Sequence, residues 1–372
     1  MAKRVLLMYI SEHSGHHQAT IALEKAILKK NPNASVRKIN TFKYTNPIVE
    51  FLTHAAYMRV IKKRPHIWGN IYDNPDFLRK TARLRTFIND MGTRKIKRLI
   101  NKFKPDAVVC TQAFPCGIVS HYKKKFNSRL PLVGALTDYA PHSYWIYDNV
   151  DAYVVPNENV KDAFVAKGVP REKIKVLGTP IDLEFETLKK TDKIYKKYNL
   201  SMDCPIVLVM GGTNGIGTNK DLIKLLNDSR KEFQIIIITG INKKLFKKIN
   251  KIKNAFTKKL IVLGFVDNIC EIMDISSFVI TKPGGLTTAE ALAKALPIII
   301  VNPLPGQEDL NAKALTTCGA ALRAKDERDA VRILEDLLDN KDKIQKIKSS
   351  MSTQAKPYSS SNIVDLLNNL TN

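Results

Sequence analysis

Short apolar runs alternate with segments of helical periodicity along the whole chain, and this alternation constrains the fold more than any other feature. RVLLMYI, DAVVCT, LPLVGAL, DAYVVP and IKVLG lie in the first half; PIVLVM, FQIIIITG, KKLIVLG, SSFVITK and LPIIIVN lie in the second. Unbroken runs of Val, Ile and Leu suit parallel strands covered by helices on both faces. Alternating strands and helices of this kind build α/β layers. Two such sets predict two Rossmann-like, doubly wound parallel-sheet domains, and 372 residues is a length that two domains of about 150 to 200 would fill. The seam is expected in GTPIDLEFETLKKTDK (Gly178–Lys193), where a turn gives way to a charged stretch. The domains predicted are 1–182 and 183–355, followed by a short amphipathic helix in 356–372 that packs back on the first.

No run approaches the ~18 apolar residues of a membrane-spanning helix. MAKRVLLMYI leads into the first motif without a cleavage site, so a cytoplasmic location is expected. Five scattered cysteines with no C-x-x-C pair argue against a disulfide framework or a zinc site. Charge is more informative. Lys and Arg number 60 against 35 Asp and Glu, a net of +25. Ala55–Lys104 carries 14 basic and three acidic residues (+11), and Ile241–Lys259 carries eight basic and none acidic (+8), so these stretches hold 19 of the 25 excess charges. Such patches attract polyanions, whether nucleic acid or an anionic membrane, unless the lysines merely solvate helix faces. In and just before the first patch, Phe51, Tyr57, Trp68, Tyr72, Phe77 and Phe87 interleave with the charges, which suits a lipid headgroup interface.

Several strand-to-helix junctions carry chemistry. In ITKPGGLTTAEALAKALPIII (Ile280–Ile300), Gly284 and Gly285 separate an apolar run from a helix-forming stretch. One reading makes Thr287 an N-cap and Glu290 the partner of a capping box. The other makes the same backbone N–H groups a phosphate site at a helix N-terminus, with Glu290 one turn in and able to reach a ribose. GGTNGIG (Gly211–Gly217) offers a second glycine loop after a strand, although neither a dinucleotide fingerprint nor a P-loop is present. LGFVDNI adds a turn at which the Val266 backbone is placed to pair with a nucleobase. In the first half, SEHSGHHQAT sets His16 at a helix start, where the macrodipole favours neutral imidazole and so a base. A solvated or capping His is the plainer alternative. TDYAPHSYW supplies Asp138, His142 and Trp145, or else forms a surface turn with a capping Asp.

Together, SGHHQA, TDYAPHSYW, GGTNG, GFVDNI, KPGGLTTAEALAKALPII and PLPGQEDLNA resemble the monogalactosyldiacylglycerol synthase and processive diacylglycerol glucosyltransferase group. That group falls in glycosyltransferase family 28, which also holds the N-acetylglucosaminyltransferase acting on lipid I. The likeness spans nearly the whole chain. Thr-Asp with His four and Trp seven residues after the Asp is similar to the diacylglycerol branch in particular. One departure concerns the first loop, where the family has Gly-x-Gly-His: here Ser14-Gly15-His16 follows Glu12-His13, so His13 or His17 could share a role.

The resemblance implies a GT-B fold, with two domains facing a central cleft, a UDP-hexose donor on the second, a diacylglycerol acceptor on the first, and inversion at the anomeric carbon. Charge growing on the leaving UDP would be met by amides at Gly284, Gly285, Gly212 and Thr213 and by helix dipoles. Without an Asp-x-Asp pair in the sequence, no metal or other cofactor is expected. Asp138 is the preferred base, with His16 as its partner or as a contact to donor phosphate. Glu290 would hold the ribose, Gln307 and Glu308 would read the sugar, and Gly15, Val266 and Thr287 complete the donor set. His142 and Trp145 fall on the acceptor side. Arg59, Lys62, Lys63, Arg64, Trp68 and Tyr72 would meet an anionic membrane, making the protein peripheral on the cytoplasmic face with no nucleic-acid partner. Rival expectations are transfer of N-acetylglucosamine to a polyprenyl-linked acceptor, against which TDYAPHSYW speaks, and a non-catalytic UDP-sugar sensor, against which Asp138 and His16 speak.

Overall fold

A computed structural model describes residues 3–12, 14–45, 90, 92–139, 142–187, 192–213, 215 and 220–371. By packing the chain forms two compact units, 1–183 with 305–307 and 358–372, and 184–304 with 308–357.

The first unit is built on a six-stranded parallel sheet: β1 (Arg4–Tyr9), β2 (Ser35–Asn40), β3 (Ala107–Cys110), β4 (Leu132–Ala135), β5 (Ala152–Val155) and β6 (Ile174–Val176), in the order β2-β1-β3-β4-β5-β6. Side chains alternate across it as a strand requires. Val5 and Leu7 enter one core with Leu23, Ala26 and Ile27, while Leu6 and Met8 enter the other with Ile118, Leu136 and Tyr153. The C-terminal helix Ser359–Thr371 packs on the first of these faces, adding Ile363, Val364 and Leu367 to the core. Each buried aliphatic side chain of this kind contributes about 1.5–3 kcal/mol. Ser360 Oγ donates to Ile181 O at 2.6 Å, and Lys30 Nζ pairs with Asp365 at 2.6 Å, fixing both ends of the contact.

The second unit repeats the plan with β7 (Ile206–Met210), β8 (Gln234–Ile238), β9 (Leu260–Leu263), β10 (Phe278–Thr281), β11 (Ile298–Ile300) and β12 (Ala321–Arg323), in the order β12-β11-β10-β7-β8-β9. All ten runs picked out by apolar pattern are strands. The two that the pattern does not show, β2 and β12, are edge strands: SVRKIN and ALR are mostly half-exposed and carry polar residues, since only one side of each pairs. In each sheet the chain order reverses once, between β1 and β3 and between β7 and β10. Open α/β sheets bind ligands beyond the carboxyl ends of strands at such a reversal.

Candidate active site

In the first unit, β1 ends in a turn that holds Ser11 at φ 64°. Ser14 pins it: its hydroxyl donates to Ser11 O at 2.7 Å and accepts from His17 N–H at 3.2 Å, so Ser14 is the N-cap of the helix Gly15–Lys30. Gly15 and His16 therefore open that helix, beside the strand reversal. His16 is half-buried, with Nδ1 2.9 Å from Thr111 O at the end of β3 and 3.0 Å from Thr137 Oγ1 at the end of β4. A carbonyl oxygen only accepts, so Nδ1 carries the ring's proton and Nε2 keeps the lone pair in the neutral form. Thr137 Oγ1 donates on to Asp138 Oδ2 at 3.3 Å, and Thr111 Oγ1 donates back to His16 O at 2.9 Å. Three adjacent strand ends are thus linked through one imidazole. Desolvation pulls the His16 pKa below the ordinary imidazole value, and the Asp138 charge and the Thr111 contact only partly offset it. His16 is accordingly neutral near pH 7, its protonated Nδ1 linked to the Asp138 carboxylate through the Thr137 hydroxyl.

The other residues expected here divide. His142 caps the short 3-10 helix Ser143–Trp145, its Nδ1 accepting from Tyr144 N–H at 3.0 Å. Trp145, expected on the acceptor side, is 7% exposed and packed in the core beside Gly134 and Tyr153. The indole's size fits the space that the small Gly134 leaves. His17 stacks on Tyr9 at 4.4 Å between ring centroids. His13, Arg59, Lys62, Lys63, Arg64, Trp68 and Tyr72 lie outside the described residues.

In the second unit, the loop after β7 turns through Gly212 at φ 64° and Gly215 at φ 61°. It is backed by Gly240 after β8, where a Cβ would stand 2.0 Å from Thr213 O, while Ile241 N–H donates to that same oxygen at 2.8 Å. Across the strand reversal, the loop after β10 runs through Lys282, Pro283 and Gly284 into the helix Gly285–Ala293. Gly284 is its N-cap and supplies no side-chain cap, and nothing stands within 4 Å of where a Cβ on Gly284 would point. The first-turn N–H groups of a helix need partners from outside it, and here they open on room for an anion. Thr287 is the third residue of this helix, so the reading that made it an N-cap, with Glu290 completing a capping box, does not hold: the cap is Gly284, three residues earlier. Glu290 sits within the helix at 8% exposure.

Lys282 is the residue whose role sequence reasoning left unassigned. Its Cε lies 3.5 Å from the Cβ position of Gly212, which puts the side chain beside the other glycine loop. Its ammonium pairs with Glu308 Oε1, and Glu308 Oε2 accepts from Leu304 N–H at 2.9 Å. Both Glu308 oxygens are thus engaged in holding a lysine and a loop, which places this carboxylate in support of the site. Asn311 Nδ2 braces the loop from the same helix, Gln307–Thr317, by donating to Pro283 O at 3.0 Å. Gln307 is half-buried at that helix's first position. Val266, after β9, is half-buried and follows Phe265, which is 48% exposed. Among the described residues no three His, Cys, Asp or Glu side chains converge as metal ligands do.

These two halves match two family models: monogalactosyldiacylglycerol (MGDG) synthase over residues 16–181, and the glycosyltransferase family 28 C-terminal domain over 206–367. The processive diacylglycerol beta-glucosyltransferase of Bacillus pumilus is 30% identical over 365 residues, covering 98% of this chain and 94% of that protein. Its counterpart in Bacillus subtilis is 29% identical over 351 residues, covering 94% and 90%. Among solved structures, Acinetobacter baumannii MurG aligns with a TM-score of 0.63 at 15% identity over 99% of both chains. Anabaena HepE in complex with UDP-glucose aligns at 0.55 and 13% identity over 97% of this chain and 98% of its own. At such identities the structural likeness is one of fold, the GT-B pairing of two Rossmann-like sheets.

Proposed function

The chain belongs to the glycosyltransferase family that contains the processive diacylglycerol β-glucosyltransferases, and from that membership we propose that it moves a hexose from a UDP-sugar to the free hydroxyl of diacylglycerol, making glycolipid. The relatives' names favour glucose as the sugar. What carries the reading is the second unit's strand reversal, where two glycine loops and the held cation Lys282 meet at an open helix N-terminus. That arrangement suits a diphosphate.

In the proposed reaction the acceptor oxygen attacks the anomeric carbon on the face opposite UDP, the bond to the β-phosphate oxygen breaks, and the acceptor proton passes to a base. Asp138 is that base, and His16, neutral and fixed in one tautomer, neighbours it through Thr137. Charge growing on UDP is met by the amides of Gly212, Thr213, Gly284 and Gly285, by the helix dipole and by the Lys282 ammonium, without a metal ion. Glu290 holds the ribose and Val266 the base. No helix among the described residues is long and apolar enough to cross a membrane. In the proposed reaction the protein meets its bilayer acceptor at the membrane surface, on the cytoplasmic side.

Incubating the purified protein with UDP-glucose, UDP-galactose or UDP-N-acetylglucosamine and diacylglycerol vesicles, then weighing the lipids by mass spectrometry, tests this. Hexosyl-diacylglycerol is expected. UDP binding with no sugar transferred from any donor would leave only a sensor.

A further inference from the structure

The helix Lys243–Ile252 is built against its own interest. Its inner face is ordinary: Ile249 is fully buried, Leu245 packs 3.3 Å from the Cβ position of Gly215, and Asn242 caps the start by accepting Leu245 N–H at 3.0 Å. Its outer face is lysine alone. Lys243, Lys244, Lys247, Lys248 and Lys251 are all exposed. Lys243 and Lys244 stand at the positive end of the helix, and Lys243, Lys247 and Lys251 repeat like charge at every fourth position, so both the macrodipole and side-chain spacing oppose this choice.

What sets this stretch apart is density: 241–259 holds eight lysines and no acidic residue. Some lysines elsewhere sit against carboxylates, Lys25 on Asp182, Lys30 on Asp365, Lys125 on Asp90, Lys231 on Asp339 and Lys343 on Asp336, each at 2.6 Å. Among the described residues none of the eight lysines in 241–259 has an ion-pair partner. Beyond the helix, Lys253, Asn254, Thr257 and Lys259 line a recess of about 380 Å³, large enough for a headgroup. Before it, Ile241 is 45% exposed, an apolar foothold at the other end.

We propose that this helix and its recess form a docking face for an anionic phospholipid bilayer, carried by the second unit and separate from the 55–104 stretch. The inference rests on the reading of the acceptor as a bilayer lipid. Lysine without arginine favours a membrane over nucleic acid: an ammonium answers surface potential, whereas base and phosphate readout leans on the guanidinium fork. The exposed face also offers no exposed aromatic ring on which bases would stack.

The test uses the full chain and phosphatidylcholine vesicles with or without phosphatidylglycerol. Changing Lys244, Lys247, Lys248 and Lys251 together to Gln should weaken association with the anionic vesicles by roughly ten-fold or more, and changing the same four to Arg should preserve it. UDP binding, followed by calorimetry, should be unchanged in both. Wild-type association by the Gln variant overturns the proposal. So does loss of association in the Arg variant, or tighter lysine-dependent binding to single-stranded DNA than to the anionic vesicles. Lysine-dependent vesicle binding by a protein that fails to bind UDP would uphold the docking face and overturn glycosyl transfer instead.

Discussion

His16 Nδ1 lies 2.9 Å from the carbonyl oxygen of Thr111, so the proton on this ring is committed and its other nitrogen is the basic one. Asp138, reached through the Thr137 hydroxyl, is the neighbouring acceptor. Asp138→Asn keeps the shape and removes proton acceptance, so turnover should fall by ~10²-fold or more with the UDP dissociation constant preserved. Turnover within a few-fold of wild type, beside a large loss in His16→Gln, would move the base to His16 Nε2.

The same burial makes a pH prediction. The His16 pKa is lowered in the folded protein, so the unfolded chain binds the extra proton more readily and stability rises with pH through this window. The contribution is complete above the ordinary imidazole value of about 6.5 and is lost as pH falls through the lower folded value. Melting temperature should therefore drop on acidification below about pH 6.5, and His16→Gln should flatten part of that drop. A variant whose melting curve tracks wild type at every pH would show that His16 is not desolvated.

How much of this was legible in the sequence depends on whether a residue's role is local. Buried strands announce themselves because both faces are apolar, whereas β2 and β12 do not, being half-solvated edges. Gly284 and Gly285 were readable as a helix start, but the starting residue was not, because a Gly cap and a Thr cap look alike until the backbone is seen. Trp145 beside His142 reads as one motif, yet the indole is buried in the core while the half-buried imidazole caps the short helix that ends at Trp145. The Lys282–Glu308 pair joins positions 26 apart, and no local pattern shows such a partner. The signal was nonetheless there, a cation directly before the Pro-Gly-Gly turn.

That pair carries the next expectation. If the Lys282 ammonium meets the donor diphosphate, Lys282→Met should weaken UDP binding by about 1.5–3 kcal/mol, the range of a charge-assisted hydrogen bond. Glu308→Gln should weaken it less, since the cation stays but is held less firmly. A calorimetric titration beside a thermal melt separates this from a structural pair, for which melting temperature would fall in both variants and UDP affinity would hold.

Glu290 is no longer a candidate for the helix cap, because the helix begins before Thr287. Loss of a capping box therefore adds nothing to the effect of changing it. If Glu290 binds the ribose, Glu290→Gln should reduce UDP affinity by roughly 1–3 kcal/mol and reduce affinity for uracil alone very little. Equal losses for UDP and uracil would point to a distorted loop and would remove the ribose contact.

The last prediction concerns a charge with no place at the rim. Lys294, at the end of the helix that Gly284 begins, pairs at 2.8 Å with Asp274, and the side chain of each is 1% exposed. Its Nζ donates as well to Thr187 O at 2.6 Å and lies 5.5 Å from the Phe185 ring, so the pair ties two helices to the segment that enters the second unit. Two ions removed from water lose hydration that their attraction only roughly restores, while a single ion left behind loses it with nothing in return. Asp274→Ala should thus destabilise the protein by about 3–5 kcal/mol, read as a fall in the denaturant midpoint. Asp274→Leu combined with Lys294→Met should recover most of that loss, since apolar side chains need no partner there. Beside them Cys270, whose thiol is pushed up to about 11 chiefly by burial, should stay inert to alkylation at neutral pH in the wild type and gain reactivity in Asp274→Ala, as the packing around it opens. A single substitution that costs less than about 1 kcal/mol would mean that water reaches the pair, and the tie to Thr187 would then be no stronger than a surface contact.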